Sequence, residues 1–283
     1  MESQESQEFF TAVFSAICAK SAQEKCHKVQ EIWNRFSVLN FAQDCAILPL
    51  GIPTFAYFCK ILPPKNVPQG KYLKNDLNMA HLLHSVAHIE FSAIDLALDC
   101  AYRFRNLPKS YYFDWIEVAN EEVKHFLLLE DLLHKIGFKY GDFGVHTLLF
   151  DEMKHCNILL DRIALIPRGM EAVGLDVNPF LCAKVRSCNH TIKDELLNAL
   201  NIILCDEIHH VSKGNFWFNY VCDEEKIKRE NRAKTYIAIL KHYHFTFPKA
   251  NSQLNTEARL QAGFSLQELQ MLENIAFTSK NPK

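Results

Sequence analysis

Two stretches of the sequence share the pattern Glu-x-x-His: Glu122-Val-Lys-His125 and Glu207-Ile-His-His210. On an α-helix, positions i and i+3 are neighbours, so each motif would point a carboxylate and an imidazole the same way. The pattern is short and common, and its surroundings give it weight. Glu122 falls in the apolar stripe Trp115, Val118, Phe126, Leu129, Leu133, and Glu207 in the stripe Leu196, Leu200, Ile203, Leu204, Val211. Such stripes face a core, where an unpaired carboxylate is costly, so both glutamates predict a counter-charge. Glu121 shares a face with Asp114, Glu117 and Lys124 and predicts solvent instead.

Two more carboxylates sit on apolar stripes. Glu90 is flanked by Leu83, Val86, Ala87, Ile94, Ala97 and Ala101, and Glu171 aligns with Leu160, Ile163, Ala164 and Pro167. The order is a glutamate and then a Glu-x-x-His, twice, with 32 residues from Glu90 to Glu122 and 36 from Glu171 to Glu207. Repetition at near-equal spacing is harder to obtain by accident than either motif alone. Four carboxylates and two imidazoles on four facing helices match the ligand set of the di-metal carboxylate bundles. Hard oxygen donors with imidazole suit iron or manganese, and the lack of thiolate ligands argues against structural zinc. The alternative is a set of buried salt bridges to arginines such as Arg103, Arg162 and Arg168.

Further candidates support this set. Asp206 could accept the distal N–H of a ligand histidine, or be solvated or paired with arginine. His81, His84, His88, Asp95 and Asp99 share a second face of the Glu90 helix. His84 and His88 are candidate supporting residues there, on what reads as a polar or interface face, and a separate metal site would need a third ligand. The ten cysteines form no CxxC pair and read as reduced core thiols of a cytoplasmic chain. No GxSxG elbow and no nucleotide-binding glycine fingerprint occurs.

Helices must position these groups. Nine glycines in 283 residues are too few for turn-rich β architectures, so the chain reads as all-α. The pattern predicts a helical segment over 5–37, then a proline-rich extended arm over 39–69. Four long helices follow near 76–105, 110–136, 146–173 and 188–214. The breaks are placed at Leu107-Pro108, Gly137–Gly144 and Gly174-Leu-Asp-Val-Asn-Pro179, and Gly214 marks the end of the fourth. A helical 216–245, a loop from Pro248 to Asn255 and a short helix from Ser265 complete the chain. In that last helix Ser265 and Glu268 have capping-box spacing. The organisation expected is an N-terminal helix and arm over 1–75, a bundle over 76–214 and a helical extension over 215–283.

The 31 basic and 33 acidic residues leave a net charge of −2, which disfavours nucleic acid as a partner. One local basic run, Lys226-Ile-Lys228-Arg229 with Arg232 and Lys234, reads as a solvated helix face that could touch phosphate. The polar start Met1-Glu-Ser-Gln-Glu-Ser is unlike a signal peptide, and no apolar run approaches the roughly 18 residues of a membrane helix.

The sequence resembles the bacterial ferritin-like proteins catalogued as domain of unknown function 455. The resemblance rests on Leu83-His84-Ser-Val-Ala-His88-Ile-Glu90, Val118-Ala-Asn-Glu-Glu122-Val-Lys-His125-Phe126 and Arg162-Ile-Ala-Leu-Ile-Pro167-Arg168-Gly-Met-Glu171. It continues through Asp206-Glu207-Ile-His-His210-Val and Asn255-Thr-Glu-Ala-Arg259. It implies a ferritin-like four-helix bundle with extra terminal helices and a dinuclear metal site, without an established reaction. Wider ferritin-like relatives include ferroxidases, di-iron monooxygenases and the radical-bearing reductase subunit. The reductase's radical tyrosine corresponds here to Leu129, which argues against radical storage. The resulting expectation is a cytoplasmic oxidoreductase or oxygenase. Two iron or manganese ions on Glu90, Glu122, His125, Glu171, Glu207 and His210 would activate dioxygen toward an unknown small molecule. Homodimerisation is compatible with this reading. The alternatives are a ferroxidase-type iron- or manganese-handling protein and a non-enzymatic ferritin-like scaffold.

Overall fold

The structure, a computed structural model, describes residues 8–42, 46–245 and 253–278. Pro248 and most of the loop expected around it lie outside these residues, as do Cys45 and the polar N-terminal start. The described residues are helix and loop, with two isolated β-bridges, Glu8 with Asn40 and Ile61 with Val145. The chain forms two compact units, Met1–His155 with Asn189–Ile192, and Cys156–Cys188 with Lys193–Lys283.

The first unit holds α1 (Phe9–Ile17), α2 (Ala22–Arg35), α3 (Asp76–Arg103), α4 (Lys109–Lys135) and α5 (Leu148–His155). The single helix expected over 5–37 is two helices. Ser21 starts α2 by accepting from Glu24 N–H, and such a side-chain cap competes with continuing α1. α3 is buried on nearly every side from Glu90 to Tyr102, between α1, α4 and α5, so its sequence is apolar almost all round. Asn75 caps its start by accepting from Asn78 N–H at 3.0 Å. α4 ends at Gly137, whose φ of +83° permits the turn in which Phe138 N–H reaches Leu133 O at 3.0 Å.

The proline-rich arm is extended as expected, with short 3₁₀ turns at Thr54–Tyr57 and Pro64–Asn66. Thr54 Oγ1 donates to Ala19 O at 2.7 Å, and Leu62 N–H to Val145 O at 2.8 Å. These bonds tie an irregular segment down where helix or sheet ladders are unavailable.

The second unit holds α6 (Leu159–Leu165), α7 (Ala172–Arg186), α8 (Lys193–Glu224), α9 (Arg229–His242), α10 (Thr256–Gln261) and α11 (Leu266–Thr278). Here the expected boundaries are corrected. The segment placed at 146–173 divides into α5, then α6, which a π-helical turn over Ile166–Glu171 joins to α7. Pro167 lacks the N–H that an α-helical turn would use, and a wider turn accommodates that loss. The break expected at Gly174–Pro179 is absent, for α7 runs through Pro179. The carbonyl that Pro179 leaves without a helical donor is that of Leu175, and Asn255 Nδ2 donates to it at 3.1 Å. Asp176 one residue on pairs with Arg259 of α10, its Oδ2 2.7 Å from Nη2.

The fourth helix does not stop at Gly214 but continues to Glu224, and the helical 216–245 is divided at 225–228. Gly214 serves close packing instead: a Cβ there would lie 2.9 Å from the Pro167 ring. α10 lies between the expected loop, which ends at Asn255, and the expected helix from Ser265, and Asn255 caps it. The capping box is formed: Ser265 N–H donates to Glu268 Oε2 at 2.8 Å and Glu268 N–H to Ser265 Oγ at 3.2 Å. Glu268 also pairs with Arg168, whose guanidinium is bonded to Asn215 and lies over Phe218, Tyr236 and Phe264.

Candidate metal centre

In the first unit, Glu90 on α3 meets Glu122 and His125 on α4. His125 Nδ1 lies 3.2 Å from Glu90 Oε2 and 3.4 Å from Glu122 Oε2. Each of the three offers a donor atom within 4.8 Å of the others. Glu122 and His125 are fully buried and Glu90 is 6% exposed. Burial alone would depress the imidazole pKa, but the hydrogen bonds and charges of Glu122 and Glu90 push it up to about 11. The cluster thus stabilises a cation between two carboxylates, away from water.

In the second unit, the i, i+3 spacing on α8 brings His210 Nδ1 to 3.6 Å from Glu207 Oε1. His210 is fully buried and the Glu207 side chain is 12% exposed. Glu171 closes the π-helical turn at the head of α7 and is partly buried, and Asp206 is likewise partly buried. The π turn matters because it sets which way Glu171 projects: a regular helix from α6 would rotate that position around the axis.

A buried set of glutamates and histidine that could hold a metal ion is therefore present. A family model described as "Protein of unknown function (DUF455)" matches residues 18–270. The chain belongs to the DUF455 family. A protein of Haemophilus influenzae (strain ATCC 51907 / DSM 11121 / KW20 / Rd), described as "Uncharacterized protein", is 33% identical over 288 residues, covering 97% of this chain and 96% of the relative. No solved structure matches the chain.

The DUF455 match spans every candidate ligand, and it also spans groups that motif reading alone placed differently. His84 and His88 are buried, not part of a polar face. His88 Nδ1 is 2.8 Å from Tyr140 Oη and its Nε2 2.8 Å from His146 O, while His84 Nε2 accepts from Gly141 N–H at 3.0 Å. Burial holds His84 down to about 4 and His88 to about 3, so both stay neutral. Burial also pushes the Cys59 thiol up to about 12, against the opposing hydrogen bond from Tyr140. Tyr140 carried no periodic signal; the only hint of an ordered turn was the close spacing of Gly137, Gly141 and Gly144.

Asp95, on the same helix, pairs with Lys25 of α2, and Asp99 with Arg103. Cys26, Cys59, Cys156, Cys182 and Cys222 are buried free thiols, Cys100 is also buried, and Cys18 and Cys205 are exposed. Among the described residues no helix is long and apolar enough to cross a membrane.

Proposed function

We propose that this DUF455 protein is a ferritin-like di-metal carboxylate protein acting as an oxidoreductase. Glu90, Glu122, His125, Glu171, Glu207 and His210 would hold two divalent ions, iron or manganese. The observation that carries the reading is the buried Glu90–His125–Glu122 cluster, with its donor atoms within 4.8 Å of one another. The second Glu-x-x-His, with His210 Nδ1 3.6 Å from Glu207 Oε1, supports it.

The donor set fits the ions. Carboxylate oxygen and imidazole nitrogen without thiolate suit iron or manganese, and bridging glutamates allow two cations to share a site. Bound metal would supply redox and Lewis-acid chemistry toward dioxygen and a small organic substrate.

The chain's own contribution is placement. α3 and α4 hold three donors with little freedom to move, and their charges favour a cation. Burial keeps bulk water from the donors, for Glu122 and His125 are fully buried and Glu90 is 6% exposed. The π turn fixes the direction of Glu171.

Metal analysis of anaerobically purified full-length protein tests the proposal. About two ions per chain are expected, falling below about one in Glu122→Ala and in the near-isosteric Glu122→Gln. Less than one tightly bound ion per wild-type chain, unchanged by either substitution, overturns it.

A further inference from the structure

The basic run at the end of α8 and the start of α9 forms a concave site. α8 ends in a turn where Ile227 N–H donates to Cys222 O at 2.7 Å and Lys226 N–H to Asp223 O at 3.0 Å. This termination places its C′ residue in the left-handed region, a position that favours glycine. α4 and α10 obey that preference with Gly137 and Gly263. α8 instead uses Lys226 at φ +58°, and α9 uses His244 at φ +51°. A left-handed non-glycine residue costs on the order of 1 kcal/mol, so at Lys226 the chain keeps a side chain at the expense of stability.

That side chain lines an open pocket of about 620 Å³ together with Lys228, Lys234, Asn231 and Thr235, over the apolar Ile227. None of the lining residues is acidic. The nearby Asp223 is paired with Arg232, and Glu224, Glu225 and Glu230 are exposed outside the lining. Three exposed lysines line one hollow with no acidic residue among them, so an anion bound there would meet positive charge from more than one side. An amide and a hydroxyl add uncharged hydrogen-bonding groups, and α9 adds the positive end of its dipole at Arg229.

We propose that this pocket binds a compact, multiply charged phosphate group, the phosphate monoester or pyrophosphate of a small metabolite. The size and donor set fit a small ligand. A long polyanion fits poorly, because Asp223, Glu224 and Glu225 flank the basic run, Glu230 interrupts it and the chain as a whole carries a net charge of −2. The proposal is independent of the metal centre.

Calorimetric titration of the full-length protein with inorganic pyrophosphate, at low salt and with divalent ions removed, tests it. Saturable binding at one site with a Kd of about 1 mM or tighter is expected. Lys226→Gly should weaken binding by about tenfold while the melting temperature holds or rises, because glycine relieves the left-handed backbone. Lys234→Gln should weaken binding without that gain in stability. Absence of saturable binding to the wild type, or affinity unchanged in both variants, overturns the proposal. So does a single-stranded oligonucleotide that binds more tightly than pyrophosphate with a salt dependence of several phosphates.

Discussion

His84 shows how one buried side chain makes stability depend on pH. Its Nε2 accepts from Gly141 N–H, so the native ring must be neutral there, and burial lowers its pKa to about 4 from an ordinary 6.5. The unfolded chain therefore binds a proton between pH 6.5 and 4 that the native state refuses, and stability must fall as pH drops through that window. The slope from this one group is at most about 1.4 kcal/mol per pH unit. Denaturant unfolding of wild type and His84→Gln at pH 7.5 and 4.5 should diverge, with the variant losing less on acidification. Parallel losses would show that other groups carry the effect. The candidate ligands on α3 and α4 were legible because a carboxylate on an apolar stripe violates the usual sorting of polar from apolar, and Glu90 and Glu122 are indeed buried. His84 was legible only as a residue on a face. Its partner Gly141 comes from a loop 57 residues away, and no helical period connects the two.

Among the helices, α3 and α4 matched expectation closely because long apolar-periodic segments bounded by an Asn75 cap, Pro108 and Gly137 leave little choice. The later helices did not, and the reasons lie in distant partners. Pro179 stops a helix only if the carbonyl it strands finds no donor, and Asn255, 80 residues away, donates to that carbonyl of Leu175. Gly214 sits inside a helix because Pro167 leaves no room for a Cβ there, so this glycine marks close packing and not a helix end. This gives a pair of opposite predictions for two helical glycines. Gly214→Ala gains about 1 kcal/mol of helix propensity but forces a methyl against a rigid ring, and overpacking of that kind costs about 1–3 kcal/mol. The net is destabilising by about 1 kcal/mol. At Gly174 a Cβ meets nothing within 4 Å, so Gly174→Ala should stabilise by about 0.5–1 kcal/mol. Thermal unfolding of the two variants settles both signs. A Gly214→Ala protein more stable than wild type would mean that the Pro167 turn yields.

For the molecule as a whole, the metal proposal carries a thermodynamic consequence that needs no known substrate. An ion that binds only the native state must raise the unfolding free energy, by about 2.7 kcal/mol at a hundredfold excess over its Kd. Ferrous or manganous ions should therefore raise the melting temperature of the wild type and leave Glu122→Gln unmoved. An unshifted wild-type melting curve counts against the centre and in favour of a scaffold role. The all-helical class was legible from the glycine shortage and the apolar periods. The division into two compact units was not, because the first unit is discontinuous in the sequence. Asn189–Ile192 belong with the first unit although their chain neighbours belong with the second, and His190 Nε2 lies 3.0 Å from Asp76 at the start of α3. A ribosome adds about 5–20 residues per second, so the first unit waits roughly 2–7 s after His155 has been made before its last piece exists. During that interval α3 and α4 can pair, but nascent chains cut between 155 and 189 should remain easier to digest in the first unit than those extended past Ile192.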